Sequence, residues 1–183
     1  MRVIAGTARS LPLRTPEGMG TRPTTDRIKE TLFNMLQPYV PGSVFVDLFS
    51  GSGAIGIEAL SRGAKSAYFA ENDRRVCAYI RENLNFTKLA DRATVFTQDA
   101  VNAVEQIHEK EIDLIFMDPP YGKDLERQVL KQLQNKSSVT ENTLIVVEAL
   151  LDTDFSYLEE LGFFTVKEKQ YKTNKHVFIR RKA

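Results

Sequence analysis

Short apolar runs punctuated by acidic residues recur along this 183-residue chain, with helix-patterned stretches between them, and no other feature limits the fold as tightly. Val44-Phe45-Val46-Asp47-Leu48, Ala67-Tyr68-Phe69-Ala70 and the segments 93–97, 112–117 and 144–148 have the length and side-chain type of buried strands. Between them Ile57 and Leu60, stopped by Gly63, and then Val76, Ile80 and Leu84 recur at helical spacing. A polar helical stretch runs to about residue 135. An earlier helix begins at Asp26, where Ile28, Leu32, Met35 and Leu36 share a face and Thr24, Thr25 and Asp26 supply caps. Such alternation demands parallel strands joined by right-handed crossovers. The expected fold is α/β: a doubly wound, mostly parallel sheet with helices on both faces. Runs at 163–166 and 176–179 close it as an antiparallel pair. The first 25 residues, broken by Pro12, Pro16, Gly18, Gly20 and Pro23, read as a hairpin or extended arm rather than a packed unit.

In sheets of this kind ligands bind beyond the carboxyl ends of the strands, where strand order reverses. Asp47, Glu71, Asp99 and Asp118 each end a strand or lie just past one, so four acidic side chains are expected to rim one crevice. No metal is expected there: His108 and His176 lie elsewhere, and the lone cysteine, Cys77, allows neither a disulfide nor a cysteine zinc site. A cationic, polyhydroxyl ligand accounts better for the carboxylates. The turn Asp47-Leu48-Phe49-Ser50-Gly51-Ser52-Gly53-Ala54-Ile55-Gly56 contains G-x-G-x-x-G, and Glu71 follows at a distance suited to a ribose hydroxyl. Two ligands compete on this pattern, a dinucleotide and S-adenosylmethionine. A pyrophosphate wants a bare helix N-terminus and positive charge, whereas a sulfonium wants oxygen acceptors. Asp47 and Asp118 favour the sulfonium, and 183 residues leave no substrate domain for a dehydrogenase. The expected cofactor set is Asp47, Phe49, Ser50, Gly51, Ser52, Gly53, Glu71 with Asn72, and Asp99 with Ala100.

Asp118-Pro119-Pro120-Tyr121 decides between them. Proline pushes the residue before it into an extended conformation and removes its own backbone donor. What the segment offers is a carboxylate, carbonyl oxygens and an aromatic ring, which together suit an NH₂ group on a flat base. Two acceptors on the amine hydrogens localise the nitrogen lone pair, Tyr121 stacks on the ring, and Asp118 can take a proton.

These residues resemble the motifs of methyltransferases acting on adenine N6, cytosine N4 or guanine N2. Thr21-Arg22-Pro23-Thr24-Thr25-Asp26-Arg27-Ile28-Lys29-Glu30-Thr31-Leu32-Phe33-Asn34, and the stretch 48–64 ending Gly56-Ile57-Glu58-Ala59-Leu60-Ser61-Arg62-Gly63-Ala64, resemble the RsmD family. That resemblance implies a seven-stranded methyltransferase sheet, with residues 1–25 as an N-terminal arm and 26–183 as the methyltransferase domain. It implies guanine-N2 methylation of 16S ribosomal RNA within an assembled small subunit. It also brings Arg22 and Thr24 to the methionyl end of S-adenosylmethionine, where an arginine and a hydroxyl suit a carboxylate. The sequence departs from the family at Ala8-Arg9-Ser10-Leu11-Pro12, where a further Gly-Arg is usual, and at Lys172, where a glycine commonly follows the tyrosine.

Net charge is +1, but the first 30 residues carry six basic and three acidic side chains, and residues 167–183 carry seven basic and one acidic. Basic ends on an acidic body are expected to meet RNA phosphates through Arg2, Arg9, Arg14, Lys172, Lys175, Arg180 and Arg181. Neither a membrane-spanning run nor a signal-peptide core is visible, so a cytoplasmic monomer is expected. Cys77, His108 and His176 read as core, surface or packing residues. The rival readings are an adenine-N6 methyltransferase on DNA or RNA, a protein-glutamine methyltransferase, and a nucleotide-binding module without chemistry.

Overall fold

The structure, a computed structural model, describes residues 1–18 and 25–183. Its elements run α1 (Asp26–Leu36), β1 (Val44–Leu48), α2 (Ala54–Ser61), β2 (Ser66–Glu71), α3 (Arg74–Phe86), β3 (Ala93–Thr97) and α4 (Ala100–Gln106). The chain continues through β4 (Leu114–Met117), α5 (Leu125–Gln134), β5 (Leu144–Leu150), β6 (Phe163–Gln170) and β7 (Asn174–Arg181). The strands form one sheet in the order β3-β2-β1-β4-β5-β7-β6, parallel except for β7, which runs antiparallel to both neighbours. The doubly wound α/β expectation is thereby met. Among the described residues no helix is long and apolar enough to cross a membrane.

The alternation of each strand divides the core. Phe45, Ala67, Phe69, Leu114, Phe116, Val146 and Phe178 pack against α1, α2 and α3. Val44, Val46, Leu48, Ile115, Met117, Val147 and Val177 pack against α4 and α5. The change of face follows from reversing the direction of winding after β3 while keeping every crossover right-handed.

Three regions differ from expectation. Helix α4 carries only Ala100, Ala103 and Val104 inward, too short a stripe to stand out as periodic. Strands β6 and β7 extend well beyond their apolar runs, because β6 is an edge strand whose exposed residues need no alternation. The N-terminal arm is not an unpacked extension. Val3, Ala8 and Leu13 are buried in the same core as α1 and α2, and Arg2 bridges to Pro12 across a hairpin.

The arm is held by a carboxylate with no exposure at all. Glu58 on α2 accepts from the backbone N–H of Ile4 (2.9 Å) and Ala5 (3.0 Å). It also pairs with Arg62 Nε at 2.8 Å and with the buried Lys29 Nζ of α1 at 3.3 Å. Four donors converge on one side chain, tying the arm to two helices. Glu58→Ala strands the Lys29 ammonium in the core, so urea unfolding should show a loss of about 3–5 kcal/mol. A loss under 1 kcal/mol contradicts this account of the arm.

Candidate active site

β1 and β4 are neighbours at the point where strand order turns back, so their carboxyl ends open a single crevice. The turn leaving β1 is strongly bent: Phe49, Gly51 and Gly53 all have positive φ, at 63°, 54° and 79°. Glycine takes that conformation freely, while Phe49 holds it under strain. Gly56 is required for a different reason, since a Cβ there would lie 2.4 Å from the Phe69 ring.

Side chains from the strand ends stitch this turn together. Gly56 N–H donates to Asp47 Oδ2 at 3.0 Å, and Gly51 N–H donates to Glu71 Oε2 at 3.1 Å. Glu71 Oε1 accepts from Asp73 N–H at 3.0 Å. The Ser50 hydroxyl donates to Asp47 O at 2.6 Å and accepts Ala70 N–H at 3.1 Å. Asn83 of α3 then locks the arm to the turn: its carboxamide donates to Ser52 O (3.0 Å) and Arg14 O (2.9 Å), and accepts Arg14 N–H (2.8 Å).

The four acidic residues expected on the rim do not share one role. Asp47 is 1% exposed and lies beneath the turn rather than on the rim. Burial, with the charge of Glu71 added, pushes its carboxyl up to about 7 despite the Gly56 N–H. Glu71 is partly exposed, with Asn72 beside it at the surface. Asp99 is exposed and caps α4, accepting Asn102 N–H at 3.0 Å, which holds its carboxyl below the usual range; Ala100 behind it is buried. Asp118 follows β4 on the α1–α3 face, the face on which Phe116 packs. Burial first, then the charges of Glu148 and Asp47, push its carboxyl up. Pro119 is buried, Pro120 exposed, and Tyr121 is 46% exposed beyond them. Arg22 and Thr24 lie outside the described residues. Among the described residues no group of three His, Cys, Asp or Glu side chains could hold a metal ion.

The chain matches, over residues 1–180, the family model described as conserved hypothetical protein 95. It is 40% identical to the ribosomal RNA small subunit methyltransferase D of Haemophilus influenzae over 156 residues, 83% of this chain and 80% of that one. The chain belongs to the RsmD family. It is also 36% identical to YlbH of Bacillus subtilis, covering 93% of this chain and 92% of that one. The solved structure of yhhF from Escherichia coli superposes with a TM-score of 0.85 at 32% identity, covering 100% of this chain and 98% of that one.

In this RsmD-family chain the basic ends are less available than their charge implies. Lys175 is buried and pairs with Glu168 at 2.9 Å. Arg180 and Arg181 sit at the far edge of the sheet, where they donate to carbonyls of Glu141, Asn142, Lys136 and Val139. Arg9 is also remote, because Thr7 and Ala8 bond to Ser61 at the C-terminal end of α2. The crevice edge instead carries Arg14 and the β6–β7 turn, with Lys169 and Lys172 exposed. Sequence reasoning missed two further features: Asn83, and a buried cluster of Glu148, Asn174 and His176 beside Asp118. His176, expected as a surface or packing residue, packs its ring edge-on against Phe116. It has no exposure and bonds to Glu148. Glu148 lies near the carboxyl end of its strand, as Asp47 and Glu71 do, which is the available signal; Asn83 gives none.

Asp47 and Asp118 both hold a proton more tightly folded than unfolded. Stability should therefore fall as pH rises from about 4, the usual carboxylate value, through the folded value of Asp47 near 7. Thermal unfolding of the ligand-free protein between pH 5 and 8 should show a decline on the order of a few kcal/mol, smaller in Asp118→Asn. A flat or rising profile rules the carboxylate cluster out as its source.

Proposed function

We propose that this RsmD-family methyltransferase carries a methyl group from S-adenosylmethionine to the exocyclic N2 amine of a guanine in 16S ribosomal RNA, within an assembled small subunit. The observation that carries the reading is the commitment of the glycine turn to carboxylates. Its Gly51 and Gly56 amides already serve Glu71 and Asp47, so a pyrophosphate would meet acceptors rather than bare donors. A cationic ligand fits there. The residues that would hold it are Phe49, Ser50, Gly51, Ser52, Gly53, Glu71, Asn72, Asp99 and Ala100, with Arg22 and Thr24 at its amino-acid end. Asp47 acts from beneath by fixing the turn. When bound, S-adenosylmethionine supplies an electrophilic methyl group on a positively charged sulfur.

The chain's own residues do the rest. The Asp118 carboxylate and a carbonyl of Pro119 or Pro120 accept the two amine hydrogens and pull them from the ring plane. Tyr121, exposed next to them, stacks on the base and sets its angle. The catalysis is orientation and electrostatics, with Asp118 also receiving a proton. Relatives named ribosomal RNA small subunit methyltransferase D support the RNA substrate.

Incubating enzyme and S-adenosylmethionine with small subunits lacking the modification should yield N2-methylguanosine by nucleotide-resolved mass spectrometry. N6-methyladenosine instead overturns the choice of base. Asp118→Ala should lose turnover by about 100-fold or more with cofactor affinity changed only a few-fold. Tyr121→Phe should be much milder than Tyr121→Ala. Calorimetry on Glu71→Ala should show cofactor binding weaker by about tenfold or more. Lys172→Ala should lower the log–log salt slope of RNA binding by about 0.7–0.9. Arg180→Ala, at the far edge, should leave that slope unchanged.

A further inference from the structure

Beside Asp118 the neighbouring strands β5 and β7 carry buried polar side chains that the mechanism above leaves unused. Met117 pairs with Val147 across β4 and β5, so Asp118, the next residue, stands beside Glu148. Glu148 in turn pairs with His176 across β5 and β7. All three project to the face where Phe116, Val146 and Phe178 pack. Glu148 is 7% exposed, yet both its oxygens are held: Asn174 Nδ2 donates to Oε1 at 2.7 Å, and His176 Nε2 lies 3.0 Å from Oε2. A carboxylate can only accept, so the His176 proton sits on Nε2. The other ring nitrogen meets the Tyr171 hydroxyl at 3.1 Å, and the Phe116 ring abuts the imidazole edge-on. Glu148 is thus anchored from its far side, with its charge turned against Asp118.

We infer that Glu148, clamped by Asn174 and His176, is a positioning residue that keeps Asp118 a strong proton acceptor for the amine it binds. The inference rests on the amine-methylation reading. An amine nitrogen that gains a methyl group must shed one hydrogen: the N–H bond breaks, its electron pair stays on nitrogen, and the proton joins an Asp118 oxygen. An ordinary carboxylate is a weak acceptor for it. A second, immobile negative charge alongside raises that affinity toward the working pH, where proton transfer is most efficient. The upward push on Asp118 from burial and from Glu148 agrees.

The charged and titratable groups acting on Asp118 are Glu148 on β5 and Asp47 on β1, with Tyr121 close by in the chain; His176 on β7 and Tyr171 reach it only through Glu148. Lys169 lies opposite His176 on β6. The cations Lys29 and Arg14 on the arm side are paired with Glu58 and Glu82. Among the described residues no lysine or arginine forms an ion pair with Asp118.

The test reads Asp118 directly. Carbon-13 NMR titration of aspartate carboxyls in the ligand-free protein, with Asp118→Asn to assign the signal, gives its midpoint. Glu148→Gln should lower that midpoint by about one pH unit. It should also move the acidic limb of the pH–rate profile in the same direction and slow the plateau by about tenfold. Glu148→Asp, which keeps the charge, should restore most of the midpoint. An unchanged or raised midpoint in a folded Glu148→Gln protein overturns the inference, as does failure of Glu148→Asp to restore it. The outcome is independent of the base assignment: a lowered midpoint with no N2-methylguanosine formed retires the functional reading and leaves the coupling standing.

Discussion

A carboxylate buried at the end of a parallel strand must find a donor, and Asp47 finds it in the Gly56 N–H across the glycine turn. That bond fixes how far the turn can open. It also explains why a helix start shaped like a dinucleotide site carries acceptors in place of free amides. Glu71 repeats the arrangement from β2 through Gly51. The turn is therefore clasped from two strands, and its strained residues, Phe49 above all, are held by bonds that originate in the sheet. Remove the sheet register and the crevice has no defined shape.

The arm adds a second layer of restraint. Glu58 gathers two backbone amides of the arm onto α2, and Asn83 fastens Arg14 to the carbonyl of Ser52. Residues far apart in sequence thereby support one loop from opposite sides.

Much of this was readable from the chain. Apolar runs of strand length with helical spacing between them lead to the doubly wound sheet, because few other packings bury both patterns. Asp118-Pro119-Pro120-Tyr121 was legible because its chemistry is local: an acidic strand end, two residues without donors, one ring. What escaped depends on pairing between distant segments. Helix α4 buries three small side chains, leaving almost no periodic trace. His176 looks like any histidine in a strand until register sets it against Glu148. Charge counting overrated Lys175, Arg180 and Arg181, since composition cannot tell a solvated cation from one folded back onto Glu168 or a loop carbonyl. The arm was underrated because hydrophobic residues spaced irregularly around prolines can still each find a place in a core.

The outer edge of the sheet has its own consequence. β6 runs eight residues along the rim with most side chains exposed, which makes it a template for a foreign strand. Its ladder is interrupted by a register shift between Thr165 and Lys167, and Lys167, Glu168 and Lys169 follow. An incoming strand from another copy would find the hydrogen-bond spacing broken midway and charged side chains flanking the break. The same irregularity that ends neat pairing with β7 guards a crowded, newly made population of chains against stacking into fibres.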